Sequence, residues 1–358
     1  MERFGFVGLP NAGKSSLYNA LAGGGALAAP YAFATTDPNT GVASVPDARL
    51  DRLAAMSNSK KVVHAAVQFV DIGGLVEGAS KGEGLGNRFL AHIREVDAIV
   101  YVLRAFQDGD VAGPSDPMDH LSVVELELCL ADLETIEKQL EKKRKQAKLD
   151  KSLAVEVAAL DAADAVLSEG TPIYRSSLPD ADREALKPWF LLTNRPVLAV
   201  VNIDEAQLAT AEDIAAPIRA ELGEHAEVLT MCVQLEAESA TLDAADRAEM
   251  LEALGLGEGA LPRFVQAAYH LLGLRTFLTT GDKESRAWTF KAGWKAPRCA
   301  GVIHGDLEKG FIRAEVIHWD ELLDIGSWNK AKDLGKVRIE GKDYEVQDGD
   351  VLEIRHNS

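Results

Sequence analysis

An α/β fold with a mainly parallel sheet is what the sequence predicts, and three observations predict it. Residues 3–7 (RFGFV) are a short apolar run that ends in a glycine-rich loop and leads straight into a helix pattern. Residues 65–70 and the stretch VDAIVYVLRAF repeat such runs, and residues 197–201 (VLAVV) do so again in the second half of the chain. Short apolar runs alternating with amphipathic segments are the pattern of strands buried on both faces beneath helices.

The first element carries a phosphate-binding pattern. Gly8-Leu9-Pro10-Asn11-Ala12-Gly13-Lys14-Ser15 fits G-x-x-x-x-G-K-[ST], with a strand before it and a helix from Ser16 to Leu21 after it. Backbone N–H groups of such a loop and the positive end of the helix hold a polyphosphate. Asn11, Ala12, Gly13, Lys14, Ser15 and Ser16 are therefore the expected nucleotide-binding residues here. Lys14 is expected to reach the β- and γ-phosphates, and the Ser15 hydroxyl to bind Mg²⁺. Asn11 stands where some switch proteins hold a monovalent cation, so K⁺ is carried beside Mg²⁺; the alternative is a loop-stabilising role.

Next comes YAFATTDPNTGVASVPDARL, where Thr35 and Thr36 are equal candidates for a hydroxyl ligand to Mg²⁺. Both also suit an ordinary turn before Asp37-Pro38. The strand at 65–70 ends in Asp71-Ile72-Gly73-Gly74. Asp71 at a strand end suits Mg²⁺ held through water, and the Gly74 N–H suits a γ-phosphate oxygen. Position 75 is Leu, which cannot orient water by hydrogen bonding, so the water-orienting group must come from elsewhere.

From Asp119 to Ala147, apolar residues recur at spacings of three to five, and a second such pattern runs from about Ser152 to Leu167. Together they predict an antiparallel helical hairpin. Its turn region, residues 137–151, holds seven basic and three acidic residues. That is either a solvated face with i to i+4 pairs or a contact arm for RNA or ribosomal protein.

The chain then returns to the sheet at VLAVV and ends that strand on Asn202-Ile203-Asp204-Glu205. A guanine reader has Asn-Lys-x-Asp there. Ile203 gives apolar cover without charge, and Glu205 is a methylene longer than Asp, so the guanine clamp is removed and adenine is the expected base. From about residue 276 the composition shifts to short strands with Gly and Asp turns, Asp348-Gly349 among them. Trp288, Trp294, Trp319 and Trp328 suit either base stacking or a small β core.

Composition bounds the rest. At 358 residues the chain has room for two or three domains. No apolar run approaches the roughly 18 residues that cross a bilayer, so no membrane is expected as a partner. The opening MERFGFVGLP passes from an acidic residue into a strand and does not read as a signal peptide. Cys129, Cys232 and Cys299 are far apart and in no CxxC pair, which predicts neither zinc nor disulfides and fits a cytoplasmic protein. The net charge of −18 disfavours nucleic acid for the molecule as a whole. Residues 204–258 alone hold fourteen acids against Arg219 and Arg247.

With GLPNAGKSSLYNAL, DPNTGVASVPDARL, DIGGLVEGASKGEGLGNRFLAHIREVDAIVYVLRAF and NIDE in this order, the chain resembles the YchF family, the Obg-like ATPases. Its C-terminal KESRAWTFKAGWKAPRCAGVIHGDLEKGFIRAEVIHWDELL and KVRIEGKDYEVQDGDVLEIRHN look like that family's TGS module, a ubiquitin-like β-grasp. The resemblance implies a P-loop nucleotide-binding domain at 1–117 and 193–275, a helical insertion at 118–192 and a TGS domain at 276–358. It also implies slow, Mg²⁺-dependent hydrolysis of ATP in preference to GTP. Ribosome association, with RNA contacts through the hairpin and TGS module, and a role in translation or stress follow in the same way; a monomer is expected. Carried over, Thr35 becomes the first-switch ligand, Asn202 and Ile203 flank the base, and Glu205, Cys232 and Val233 complete its surroundings. Lys14 and Gly74 become the catalytic contacts.

The chain also departs from the family pattern. Asp110 takes the place of a loop histidine thought to assist hydrolysis, and the next histidine, His120, stands at a helix start. The base-flanking segment is Cys232-Val233-Gln234. Two alternatives remain: a GTPase of the same fold, since Asp204 could swing in towards the base, and a nucleotide-gated ribosome- or RNA-binding module with negligible hydrolysis, which Leu75 and Asp110 allow.

Overall fold

Arg3–Val7 forms β1 and Lys14–Ala22 forms α1. Thr40–Ser44 is β2, Ala48–Ser57 α2, Val62–Val63 β3, Ala66–Asp71 β4 and Ala98–Arg104 β5. Pro117–Ala147 is α3, Ala154–Ser168 α4 and Asp180–Ala185 α5. Val197–Asn202 is β6, Ala211–Leu222 α6, Ala226–Met231 β7 and Val233–Ser239 α7. Ala244–Ala253 is α8 and Leu261–Leu271 α9. A computed structural model describes residues 1–22, 40–71, 93–108 and 113–357.

The first sheet has the order β2-β4-β1-β5-β6-β7. β1 runs parallel to both β4 and β5, and β5, β6 and β7 run parallel in turn. Every residue of β5 and β6 is buried, as in a sheet covered on both faces. The chain leaves β1 towards β4 on one side and returns to β5 on the other. Ligands of open α/β sheets bind beyond the strand ends at such a reversal. The loops after β1, β5 and β6 all emerge there.

The helical hairpin is α3 and α4. Asp116 caps α3 by accepting from the Met118 N–H, and Pro117 occupies the first turn, where a missing N–H costs nothing. Ile136, Leu140, Ala159, Leu160, Ala163 and Leu167 form a core of the hairpin's own. Nearer the sheet, Leu121, Val124 and Leu128 of α3 join the core under β5 and β6. Asp132 fixes the root: its carboxylate, fully buried, accepts from the Leu192 and Thr193 N–H groups and the Thr193 hydroxyl. Burial pushes its pKa up to about 6 against the pull of those donors.

The chain resolves into two compact units, residues 1–42 with 68–264, and residues 43–67 with 265–358. In the second, β8 (Leu274–Thr279), β9 (Ser285–Lys291) and α10 (Ala296–Ile303) lead to α11 (Gly305–Lys309) and β10 (Phe311–His318). α12 (Trp319–Ile325), α13 (Trp328–Asp333), β11 (Arg338–Glu340) and β12 (Asp350–His356) complete it. Its sheet order is β11-β10-β12-β8-β9-β3, with β8–β12 and β9–β3 parallel and the other neighbouring pairs antiparallel. Phe277, Phe290, Cys299, Phe311 and Leu352 fill its core, with Trp288 and Trp294 packed against them.

The two units differ from boundaries at 117, 193 and 276: residues 43–67 and 265–275 fall in the second unit, and 118–192 in the first. Residues 43–67 group with the C-terminal stretch because β3 adds to β9 through the pairs Val62–Ser285 and Val63–Arg286. Arg49 of α2 strengthens the grouping with an ion pair to Asp348 at 2.7 Å, and the Ser59 hydroxyl donates to the Gly281 carbonyl. Among the described residues, no helix is long and apolar enough to cross a membrane.

Candidate nucleotide-binding site

The loop between β1 and α1 is wound tightly against the base of the sheet. Asn11 and Gly13 both adopt positive φ, 62° and 99°. Asparagine tolerates that region and glycine is at home in it. A Cβ at Gly13 would also collide with the Asn202 amide, so this position admits only glycine on two counts. Lys14 lies almost fully buried within the loop, and its ammonium donates to the Leu9 carbonyl at 2.8 Å. Burial draws its pKa down to about 8, opposed by the charge of Asp71. The Ser15 hydroxyl donates to Asp71 Oδ2 at 2.7 Å. The two oxygens expected at a magnesium site, one from α1 and one from the end of β4, are thus brought together as a hard-oxygen donor set that fits Mg²⁺.

Asn202, at the end of β6, joins the phosphate loop to the next strand. Its Nδ2 donates to the Ala12 carbonyl at 3.0 Å, and its Oδ1 accepts the Val233 N–H at 3.1 Å. A single buried amide therefore sets the distance between the loop and the first residue of α7. Ile203 is buried, and its N–H donates to the Met231 carbonyl at 3.0 Å.

Beside this tie opens a cleft of about 930 Å³. Gly13 and Ser16 line its phosphate end, Asn202, Ile203 and Val233 its floor, and Phe106, Gln107 and Asp108 one wall. Ala237 and Glu238 of α7, Thr241 and Leu242 beyond it, and Met250 of α8 form the opposite side. The wall after β5 is braced from behind by Arg104. Its Nε donates to the Phe106 carbonyl at 3.1 Å, and its guanidinium lies 4.6 Å from the Phe106 ring centre.

The expected site residues fall into three groups. Asn11, Ala12, Gly13, Lys14, Ser15, Ser16, Asp71, Asn202, Ile203 and Val233 are gathered at the strand ends, as the contacts above describe. Glu205 and Cys232 are placed differently. Glu205 is exposed at the start of a 3₁₀ helix and does not line the cleft. The Cys232 side chain turns into the sheet core, where burial raises its thiol pKa. Thr35, Gly74 and Asp110 lie outside the described residues, as do Thr36 and Leu75. His120 is buried, with Nδ1 3.5 Å from the Arg104 backbone N–H and Nε2 2.8 Å from the Pro114 carbonyl. Burial lowers its pKa.

Phe106, Gln107 and Asp108 on the wall are residues that motif reading misses. The signal was present: three residues directly after a buried parallel strand next to the phosphate-loop strand lie where such sheets place ligands.

Known proteins match this chain over nearly its whole length. The Ribosome-binding ATPase YchF of Bacillus subtilis (strain 168) is 46% identical over 360 residues, covering 99% of this chain and 98% of that protein. The chain belongs to the YchF family. The Ribosome-binding ATPase YchF of Haemophilus influenzae is 45% identical over 363 residues, with 99% and 98% covered. A solved structure of the Schizosaccharomyces pombe YchF GTPase matches with a TM-score of 0.88 at 34% identity, covering 99% of this chain and 97% of that one. Residues 3–155 match the family described as 50S ribosome-binding GTPase. Residues 274–357 match the YchF-GTPase C-terminal family, described as a protein of unknown function (DUF933). The relatives' names divide between ATPase and GTPase, so the base has to be argued from the cleft.

Proposed function

We propose that this chain is a slow, Mg²⁺-dependent ATPase that prefers ATP to GTP and binds the ribosome. The observation that carries the base preference is the state of Asp204. Guanine presents N1–H and N2–H₂ donors and needs a carboxylate to accept them as a pair. Asp204 is the carboxylate of the Asn-Ile-Asp-Glu segment that reaches the cleft, and it is already committed. Its Oδ1 accepts the Gln207 N–H at 3.0 Å, the Gln207 Oε1 accepts the Asp204 N–H at 2.9 Å, and Oδ2 lies 3.4 Å from the Gln107 N–H. This is a capping box for the 3₁₀ helix at 205–210. Freeing Asp204 for guanine would uncap that helix, and Glu205 points elsewhere. A purine with no such donor pair loses nothing here.

The phosphate-loop amides and Lys14 would bind the triphosphate, and Phe106 with Ile203 would enclose the base. Ser15 and Asp71, the latter through water, would hold Mg²⁺, which supplies charge neutralisation at the phosphates when bound. Thr35 and Gly74 are proposed as the switch contacts, Asp110 as the water-orienting group and Asn11 as a K⁺ contact. Calorimetric titration with non-hydrolysable analogues is expected to show ATP binding at least about tenfold tighter than GTP. Tighter GTP binding would overturn the assignment.

Ribosome binding is supported by the names of the relatives and by the hairpin's basic turn. The structure changes which cations are available there. Lys143 pairs with Glu156 at 3.0 Å, Arg144 with Asp161 at 2.6 Å, and Lys138 with Glu134 at 2.6 Å. Among the described residues, Lys142, Lys148 and Lys151 are exposed cations of this turn with no ion pair. Charge reversal at these three is expected to lower co-sedimentation with ribosomes by about tenfold or more at moderate salt. Reversal at Lys143 and Arg144 would instead break the hairpin's own pairs. Unchanged co-sedimentation in the triple variant would remove the hairpin turn from the ribosome contact.

A further inference from the structure

Glu236 is a buried carboxylate that the phosphate and base contacts do not use. It lies on α7, the helix whose first residue, Val233, is held by Asn202 and whose Gln234, Ala237 and Glu238 line the cleft. It is only 3% exposed. Its Oε1 accepts the Ala260 N–H, while Oε2 is buried without a hydrogen-bond partner among the described residues. The Ala260 N–H stands just before α9, where a helix start leaves donors with no partner of its own. Gly259 has φ +85°, and a Cβ there would lie 3.0 Å from both carboxylate oxygens. The turn before α9 is thus shaped around this side chain.

The connection reaches the phosphate loop. Phe264, one turn into α9, is fully buried and lies 6.3 Å from Phe6 and 5.3 Å from Phe69, ring centre to ring centre. Phe6 is on β1, immediately before the phosphate loop, and Phe69 is on β4, two residues before Asp71. On the other side, α8 supplies Met250 to the cleft and Arg247 to the electrostatic surroundings of Glu236. A helix as short as α7, seven residues, has little stability of its own and takes its position from tertiary contacts.

We infer that Glu236 is a positioning residue for base recognition: it locks the α7 wall of the cleft to the start of α9, and through Phe264 to the strands that carry the phosphate loop and Asp71. It touches neither base nor phosphate. Its effect is on the position of Val233, Gln234, Ala237 and Glu238, so it governs the share of affinity that comes from the base and not the share that comes from the phosphates.

The inference rests on the ATP reading above, and the experiment separates the two. Affinity for Mg²⁺-ATP and for Mg²⁺-tripolyphosphate, which has no base, is measured by calorimetry on the full chain. Wild type, Glu236→Ala, Glu236→Gln and Gly259→Ala are compared, with thermal midpoints recorded. Glu236→Ala leaves the Ala260 N–H without its acceptor and is expected to weaken ATP by about tenfold, with tripolyphosphate unchanged. Glu236→Gln keeps an acceptor oxygen and is expected to restore most of the ATP affinity. Gly259→Ala presses on an intact carboxylate and is expected to weaken ATP selectively, and it alone decides the matter if Glu236→Ala does not fold. An ATP-to-tripolyphosphate affinity ratio that stays at the wild-type value in the folded variants would overturn the inference, as would an equal loss for both ligands. If the wild type binds GTP and not ATP, the ATP reading fails, and the same ratio measured with GTP still tests Glu236.

Discussion

Replacing Lys14 by alanine is expected to lower ATP turnover by about 10²–10³-fold, the effect of removing one pre-positioned charge from a site where negative charge develops. The structure explains why the loss should be so large. The ammonium is buried in the loop and donates to the Leu9 carbonyl, so it is held in place before any phosphate arrives. A cation already desolvated and aimed gives up little when it turns to a β- or γ-phosphate oxygen, whereas a solvated one must shed water at that moment. Lys14→Met fills most of the same volume without the charge and should match the alanine variant in turnover. Single-turnover hydrolysis checks the effect, with circular dichroism and thermal midpoint to show that the fold persists. If either folded variant hydrolyses ATP at the wild-type rate, Lys14 has no part in the chemistry.

How legible the site was in the sequence depended on whether a residue's role is local. The phosphate loop is local: its glycines, lysine and serine act within eight consecutive residues, and flanking strand and helix patterns confirm them. The base reader is partly local. Asn202 and Ile203 follow from their place at the end of a buried strand. Asp204 and Glu205 do not, because which of two adjacent acids faces the cleft is decided by the 3₁₀ helix that begins there. The pair Asp204 and Gln207, three residues apart, was a capping-box signal. Weighed as such, it would have taken Asp204 out of base recognition from sequence alone. Glu236 was the least legible. Its partner Ala260 lies across a turn and a helix, and nothing in the composition of either segment marks the contact. The same holds for residues 43–67, whose attachment to the C-terminal stretch rests on a two-residue strand and side chains such as Arg49 and Ser59. Hydrophobic period identifies elements; it does not say which distant edge a short strand will join.

The other large effect is expected at Asn202. Truncation to alanine removes the donor to the Ala12 carbonyl and the acceptor of the Val233 N–H together, because both bonds belong to one amide. Asn202 is only 4% exposed, so water does not simply replace it, and each orphaned group costs about 1–3 kcal/mol. Stability should fall, with a thermal midpoint about 4–8 °C lower for a loss of roughly 2 kcal/mol in a domain of this size. ATP affinity should fall further, by about a hundredfold, since the residue positions both ends of the ligand. This distinguishes it from Glu236: loosening Asn202 releases the phosphate loop as well as α7, so tripolyphosphate binding should weaken too. Substitution by aspartate should not rescue. A carboxylate can still accept from Val233, but it would set a second negative oxygen against the Ala12 carbonyl where the amide donated. Parallel calorimetry with ATP and tripolyphosphate on the alanine and aspartate variants provides the check. If tripolyphosphate binding is unaffected in the folded alanine variant, Asn202 belongs to the base wall alone, and the tie to the phosphate loop carries no affinity.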